Sequence, residues 1–89
     1  MNKNEVYVVK IYGFDGEEHE ETIAICRNLK TAYNKIKEEI ASRSYLKYFK
    51  EQKWRRVTDR TLAKAFDWEN EFHDDNEWYD FVITRWEVV

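Results

Sequence analysis

The chain has no proline, two glycines, one cysteine and one methionine among its 89 residues. Without proline, no helix or strand is forced to kink or stop, and every internal residue can donate a backbone hydrogen bond. Gly13 and Gly16 are too few for a glycine-rich phosphate loop. The lone Cys26 excludes an internal disulfide and suits a reducing compartment. One cysteine with two distant histidines, His19 and His73, is a poor zinc set. Long apolar runs are missing too, so no transmembrane helix is expected, and the N-terminus lacks the pattern of a signal peptide. A cytoplasmic protein with no membrane partner is the expectation.

Aromatic and charged residues fill the space left by those absences. Aromatics are 17% of the chain and charged residues 37%, with 43% hydrophobic overall. That is too apolar for disorder, and the aromatics alone can supply a core for a single domain over residues 1–89. The net charge of −3 hides segregation: residues 1–21 carry −4, residues 22–64 carry +8 and residues 65–89 carry −7. Folding can intermix these blocks or leave two surfaces of opposite sign.

Residues 5–12, EVYVVKIY, are β-branched and aromatic, which favours a strand. Asp15-Gly16 is a favoured two-residue hairpin turn. With that loop, Lys10 faces Glu21, Val8 faces Ile23 and Val6 faces Ile25, while Tyr7, Val9, Ile11, Ala24 and Cys26 share the other side. Residues 28–41 carry a helical stripe of Leu29, Ala32, Tyr33, Ile36 and Ile40, with Asn28 as N-cap. Residues 44–54 read as a second, basic helix; residues 57–65 stay unassigned. Phe66, Trp68 and Phe72 then alternate with Asp67, Glu69 and Glu71, the period of a strand with one wet face. Residues 73–77 are turn-like. Residues 78–88 form a last strand, apolar on both faces and therefore central. The expected architecture is β-β-α-α-β-β: an α+β, two-layer fold with a four-stranded, mostly antiparallel sheet packed against two helices.

Several patterns bear on chemistry. Asp67, Glu69, Glu71, His73 and Asp75 alternate as calcium-loop ligands do, but the sixth and twelfth places hold Phe72 and Trp78, where glycine and an acid are needed. No metal site and no cofactor follow. No nucleophile–base spacing emerges, so catalytic residues are expected to be absent and the protein is not expected to be an enzyme. The acidic row is better suited to docking on a basic partner protein through Asp67, Glu69, Glu71, Asp75 and Glu77, with Trp68 or Trp78 as anchor, as an inhibitor or nucleic-acid mimic would. The alternative is nucleic-acid binding by Lys47, Lys50, Lys53, Trp54, Arg55 and Arg56, where charge is interleaved with aromatics. A third possibility is a structural homodimer paired through an exposed strand edge.

The opening VYVVKIYGFDGEE, the helix after it and the closing FVITRWEVV resemble the small α+β accessory proteins of phages and prophages. That resemblance implies a factor that binds a host protein, including inhibitors of defence nucleases. It assigns no functional residue.

Overall fold

The computed structural model describes residues 4–68 and 77–88. Strand β1 (Glu5–Phe14) and strand β2 (Glu18–Cys26) form the first hairpin. Phe14 pairs with Glu18, so the loop is Asp15, Gly16 and Glu17, with Gly16 in the left-handed region at φ 102°. This loop is one residue longer than the turn dipeptide predicts, so Lys10 faces Thr22, not Glu21. A bulge at Ile23 then shifts the register between Val9 and Lys10. The extra residue returns Ala24 and Cys26 to the side of Tyr7 and Val9, where their apolar character places them.

Helix α1 (Leu29–Ser42) follows at once. Asn28 caps it, its Oδ1 accepting from the Thr31 amide at 2.8 Å. The stripe predicted from spacing faces the sheet, with Ala32 and Ile36 fully buried. The helix ends at Arg43, whose guanidinium reaches Glu39 at 3.1 Å on the helix and Glu21 at 3.3 Å on β2.

The second helix does not form. Residues Ser44–Tyr48 make a single 3-10 turn, and the chain then runs as strands β3 (Phe49–Glu51) and β4 (Arg55–Thr58). Both lie antiparallel along strand β5 (Thr61–Trp68), so residues 49–58 act as one interrupted edge strand. The cause is tertiary. The β5 segment alternates Leu62, Lys64 and Phe66 with Ala63, Ala65 and Asp67, and a strand of that period needs a neighbour to satisfy its outer backbone groups. Phe49 and Tyr48 are strand formers, and the hairpin beside β5 buries Phe49. The basic spacing at Lys47, Lys50 and Lys53 resembles a solvated helix face, but a strand edge exposes bases equally well.

Strand β6 (Trp78–Glu87) closes the fold in the middle of the sheet. The order is β2-β1-β6-β5-β3, with β4 also on β5, and every pairing is antiparallel. Among the described residues there are therefore six strands and one α-helix, not four strands and two helices. The larger sheet arises because residues 49–51, 55–58 and 61–65, expected to be helical or irregular, join it. The apolar pattern of β6 on both faces agrees with its central place.

Helix α1 packs over β1 and β2, and the core lies beneath it. Val9, Ile11, Phe81, Ile83 and Phe66 supply the sheet side, and Ala32 and Ile36 the helix side. Phe66 meets Phe81 edge-on at 5.7 Å. Gly13 is buried because the Tyr79 ring lies across it: an added Cβ would fall 2.6 Å from two ring carbons. Its role is close approach, not turning.

Phe81 is 0% exposed at the centre of the sheet, so Phe81→Ala is expected to cost about 3–5 kcal/mol by urea unfolding. Gly13→Ala is expected to destabilise by about 1–3 kcal/mol through the clash, although alanine suits a strand better than glycine does. Combining it with Tyr79→Ala should remove most of the alanine penalty in a double-mutant cycle. Strict additivity would show that the ring is not the cause.

Candidate docking surface

One helix covers one face of the sheet. Among the described residues, no element packs on the other face, whose composition follows from the register. Rows across it read Val6 and Trp86; then Ile25, Val8, Thr84 and Thr61; then Thr22, Lys10, Val82, Ala63 and Arg55. Next come Glu20, Tyr12, Asp80 and Ala65, and last Glu18, Phe14, Trp78, Asp67 and Lys50. One end of this face is apolar, with Ile25 67% and Trp86 56% exposed. The other end combines acids with aromatics.

At that acidic end Trp78 stacks on Phe14, with ring centroids 6.5 Å apart and 12° between planes. Asp67 is exposed, pairs in register with Trp78 and accepts a hydrogen bond from Gln52 Nε2 at 3.3 Å. Asp80 sits half-buried between Tyr12 and Ala65, and among the described residues it makes no hydrogen bond. Burial pushes its carboxyl above the usual range; nearby Arg55 pulls it down less strongly, and the charge of Asp67 adds a small upward push. Gln52, Lys53, Arg55, Asp67, Trp78 and Asp80 border a depression of about 740 Å³. The chemistry offered is a pair of carboxylates beside an indole face, which suits an incoming cation.

Of the partner-binding residues predicted from sequence, Asp67 and Trp78 belong to this end of the face, and half-buried Glu77 precedes β6. Trp68 ends β5 opposite Phe49. Glu69, Glu71 and Asp75 lie outside the described residues. Sequence reasoning missed Asp80. Its signal was one acid inside the apolar run WYDFVIT, where an unpaired charge is costly in a central strand.

The basic set is divided differently from the helical reading. Lys47 is on the 3-10 turn, 5.1 Å above the Tyr48 ring. Lys50 and Arg55 belong to the open face, and Arg56 pairs with Leu62 on the helix side. Lys53 lies between β3 and β4. Trp54 is half-buried on the helix side, meeting Tyr33 edge-on at 5.2 Å, with Lys64 Nζ 5.6 Å from its ring centre. Its ring is a packing element, while its chain neighbours Lys53 and Arg55 are exposed.

The charge blocks interleave in space. Lys10 meets Glu20 at 2.7 Å, Lys64 meets Glu51 at 2.6 Å and Arg60 meets Glu87 at 3.9 Å. Among the described residues Lys47, Lys50, Lys53, Arg55 and Arg56 make no ion pair. At the hairpin tip Asp15 and His19 lie 2.7 Å apart, and that hydrogen bond holds the Asp15 carboxyl below its ordinary value. Cys26 and His19 are at opposite ends of β2, seven residues or about 23 Å apart by strand rise, so they form no catalytic pair.

Because Asp80 has a raised pKa in the fold, its ionised form subtracts stability above that pKa, and the loss vanishes below the unfolded value. Asp80→Asn is therefore expected to raise Tm at pH 7, with the gain disappearing as the pH falls below about 4. An unchanged Tm at pH 7 would mean that the carboxylate is fully hydrated.

Comparison with protein-family models, with curated proteins and with solved structures finds no match for this chain.

Proposed function

We propose that the chain is a non-catalytic, cytoplasmic binding module that seats a basic segment of a partner protein on the acidic end of its open sheet face. The observation that carries this reading is Asp80, a half-buried carboxylate with no hydrogen bond among the described residues, flanked by Asp67 and Trp78. An incoming arginine or lysine would give that carboxylate a direct hydrogen-bond donor, which the attraction of Arg55 does not supply, and could lie against the indole. Stacked Phe14 and Trp78 supply a firm aromatic base for the contact. The acids Glu69, Glu71 and Asp75, close by in sequence, add to the negative potential that steers a basic partner inward.

A short arginine- and lysine-rich peptide, followed by fluorescence anisotropy, tests this. The wild type is expected to bind it in low salt, with affinity falling as salt rises. Asp67→Asn with Asp80→Asn should weaken binding about tenfold without unfolding the protein. Glu69→Gln with Glu71→Gln and Asp75→Asn should mainly slow association. Full affinity in the Asp67/Asp80 variant would contradict the reading.

A second reading, nucleic-acid binding, is favoured by Lys47 on the 3-10 turn and Lys50, Lys53, Arg55 and Arg56 along the β3–β4 edge, which make no ion pair among the described residues. It requires a mobility shift with random single-stranded oligonucleotides in low salt that Lys50→Glu with Arg56→Glu abolishes. No shift in low salt would refute it.

A further inference from the structure

The helix-covered side of the sheet holds a groove of about 760 Å³ between α1 and the β3–β4 edge. It exists because α1 lies over β1 and β2, leaving the β5 side of the same face only partly covered. Leu29, Tyr33, Ile36 and Ile40 form its helix wall and Trp54 its far wall. Tyr33 and Trp54 meet edge-on at 5.2 Å, which fixes the two rings as one aromatic corner.

Charge at the rim has one dominant sign. Among the described residues, Lys30, Lys37 and Lys64 border the groove against a single acid, Glu51. Glu51 is engaged by Lys64 at 2.6 Å, and Lys64 also sits over the Trp54 ring. Lys30 and Lys37 make no ion pair among the described residues. Two helical turns, about 10.5 Å, separate them along α1, so both flexible side chains can swing toward one anion between them. Among the described residues, polar groups able to recognise a base or a sugar are few, and Asn34 is the one amide in the lining. The size falls within the range of small-molecule sites, about 300–1,000 Å³.

The geometry points to a binding site for an amphipathic organic anion: an aliphatic carboxylate whose chain lies along Leu29, Tyr33, Ile40 and Trp54 and whose carboxylate rests between Lys30 and Lys37. The apolar walls fit the chain, and the unpaired lysines fit the head. This site opens on the helix side of the sheet and the acidic docking end on the other face, with Glu51 and Trp54 of the edge bordering both.

The test is titration of the full chain with dodecanoate, below its micellar concentration, followed by calorimetry and by amide and methyl NMR. Dodecanol and dodecyltrimethylammonium serve as uncharged and cationic controls. The expected result is one dodecanoate per chain, with shift changes centred on Leu29, Tyr33, Ile40 and the Trp54 indole. Lys30→Glu with Lys37→Glu, on the exposed helix face, should weaken dodecanoate about tenfold and improve binding of the ammonium amphiphile. Four outcomes would overturn the assignment: no dodecanoate binding, equal binding of the ammonium amphiphile by the wild type, undiminished affinity in the lysine variant, or shifts centred on Val8, Val82 and Trp86 of the open face.

Discussion

A single helix is narrower than the sheet it has to cover, and the rest of this molecule follows from that mismatch. Neighbouring strands lie about 4.8 Å apart, so the path β2-β1-β6-β5-β3 spans roughly 19 Å between its outer strands, whereas a helix is about 10–12 Å across. Helix α1 seals β1 and β2. Beyond it the core is finished by side chains from irregular backbone and the sheet edge: Leu46 from the 3-10 turn, Phe49 from β3, Trp54 and the Tyr79 ring over Gly13. The amphiphile groove lies where that improvised cover is thinnest. The opposite face has no second layer among the described residues, and its exposed Ile25 and Trp86 are the counterpart of the same shortage of helix.

Charge is arranged around this frame instead of being divided between two halves. Acids of the first hairpin meet Lys10 and Arg43, and the edge strand and β5 are tied by Lys64 and Glu51. The acids of these pairs are exposed and the bases partly covered, so each adds modestly to stability, and together they fix which bases remain open. Open bases line the β3–β4 edge, and open acids gather at the Trp78 end of the uncovered face. Lys50 and Arg55 of that edge share the uncovered face with Asp67 and Asp80, so bases and acids adjoin there.

Much of the frame was legible in the residues because its signals are local. The α1 stripe and the Asn28 cap each identify themselves within a few positions. In β6, Tyr79, Phe81 and Ile83 fall on the helix side and Trp78, Val82 and Trp86 on the open side, as strict alternation requires. The edge strand was not legible, because Lys47, Lys50 and Lys53 satisfy a solvated helix as well as a solvated edge. What decides between them is the need of β5 for a neighbour, which no local pattern states. The hairpin register failed by one residue beside the turn, where the loop takes in Glu17, and by two beyond the bulge at Ile23, which is invisible to a rule that pairs numbers by a constant sum. At the docking surface, Asp67 and Trp78 were visible as parts of an alternating strand. Asp80 was hidden in a run that looks like core, and its exposure depends on a whole sheet face being left bare.

That bare face can be measured directly. A neutral paramagnetic agent added to the solution broadens methyl signals that water can reach, and valines and isoleucines lie on both sides of the sheet. The account predicts strong attenuation for Val6, Val8, Ile25 and Val82, and protection for Val9, Ile36 and Ile83, in a dilute monomeric sample. Equal protection of the two sets would mean that a second layer covers the open face, and would contradict the one-sided architecture on which the proposed docking rests.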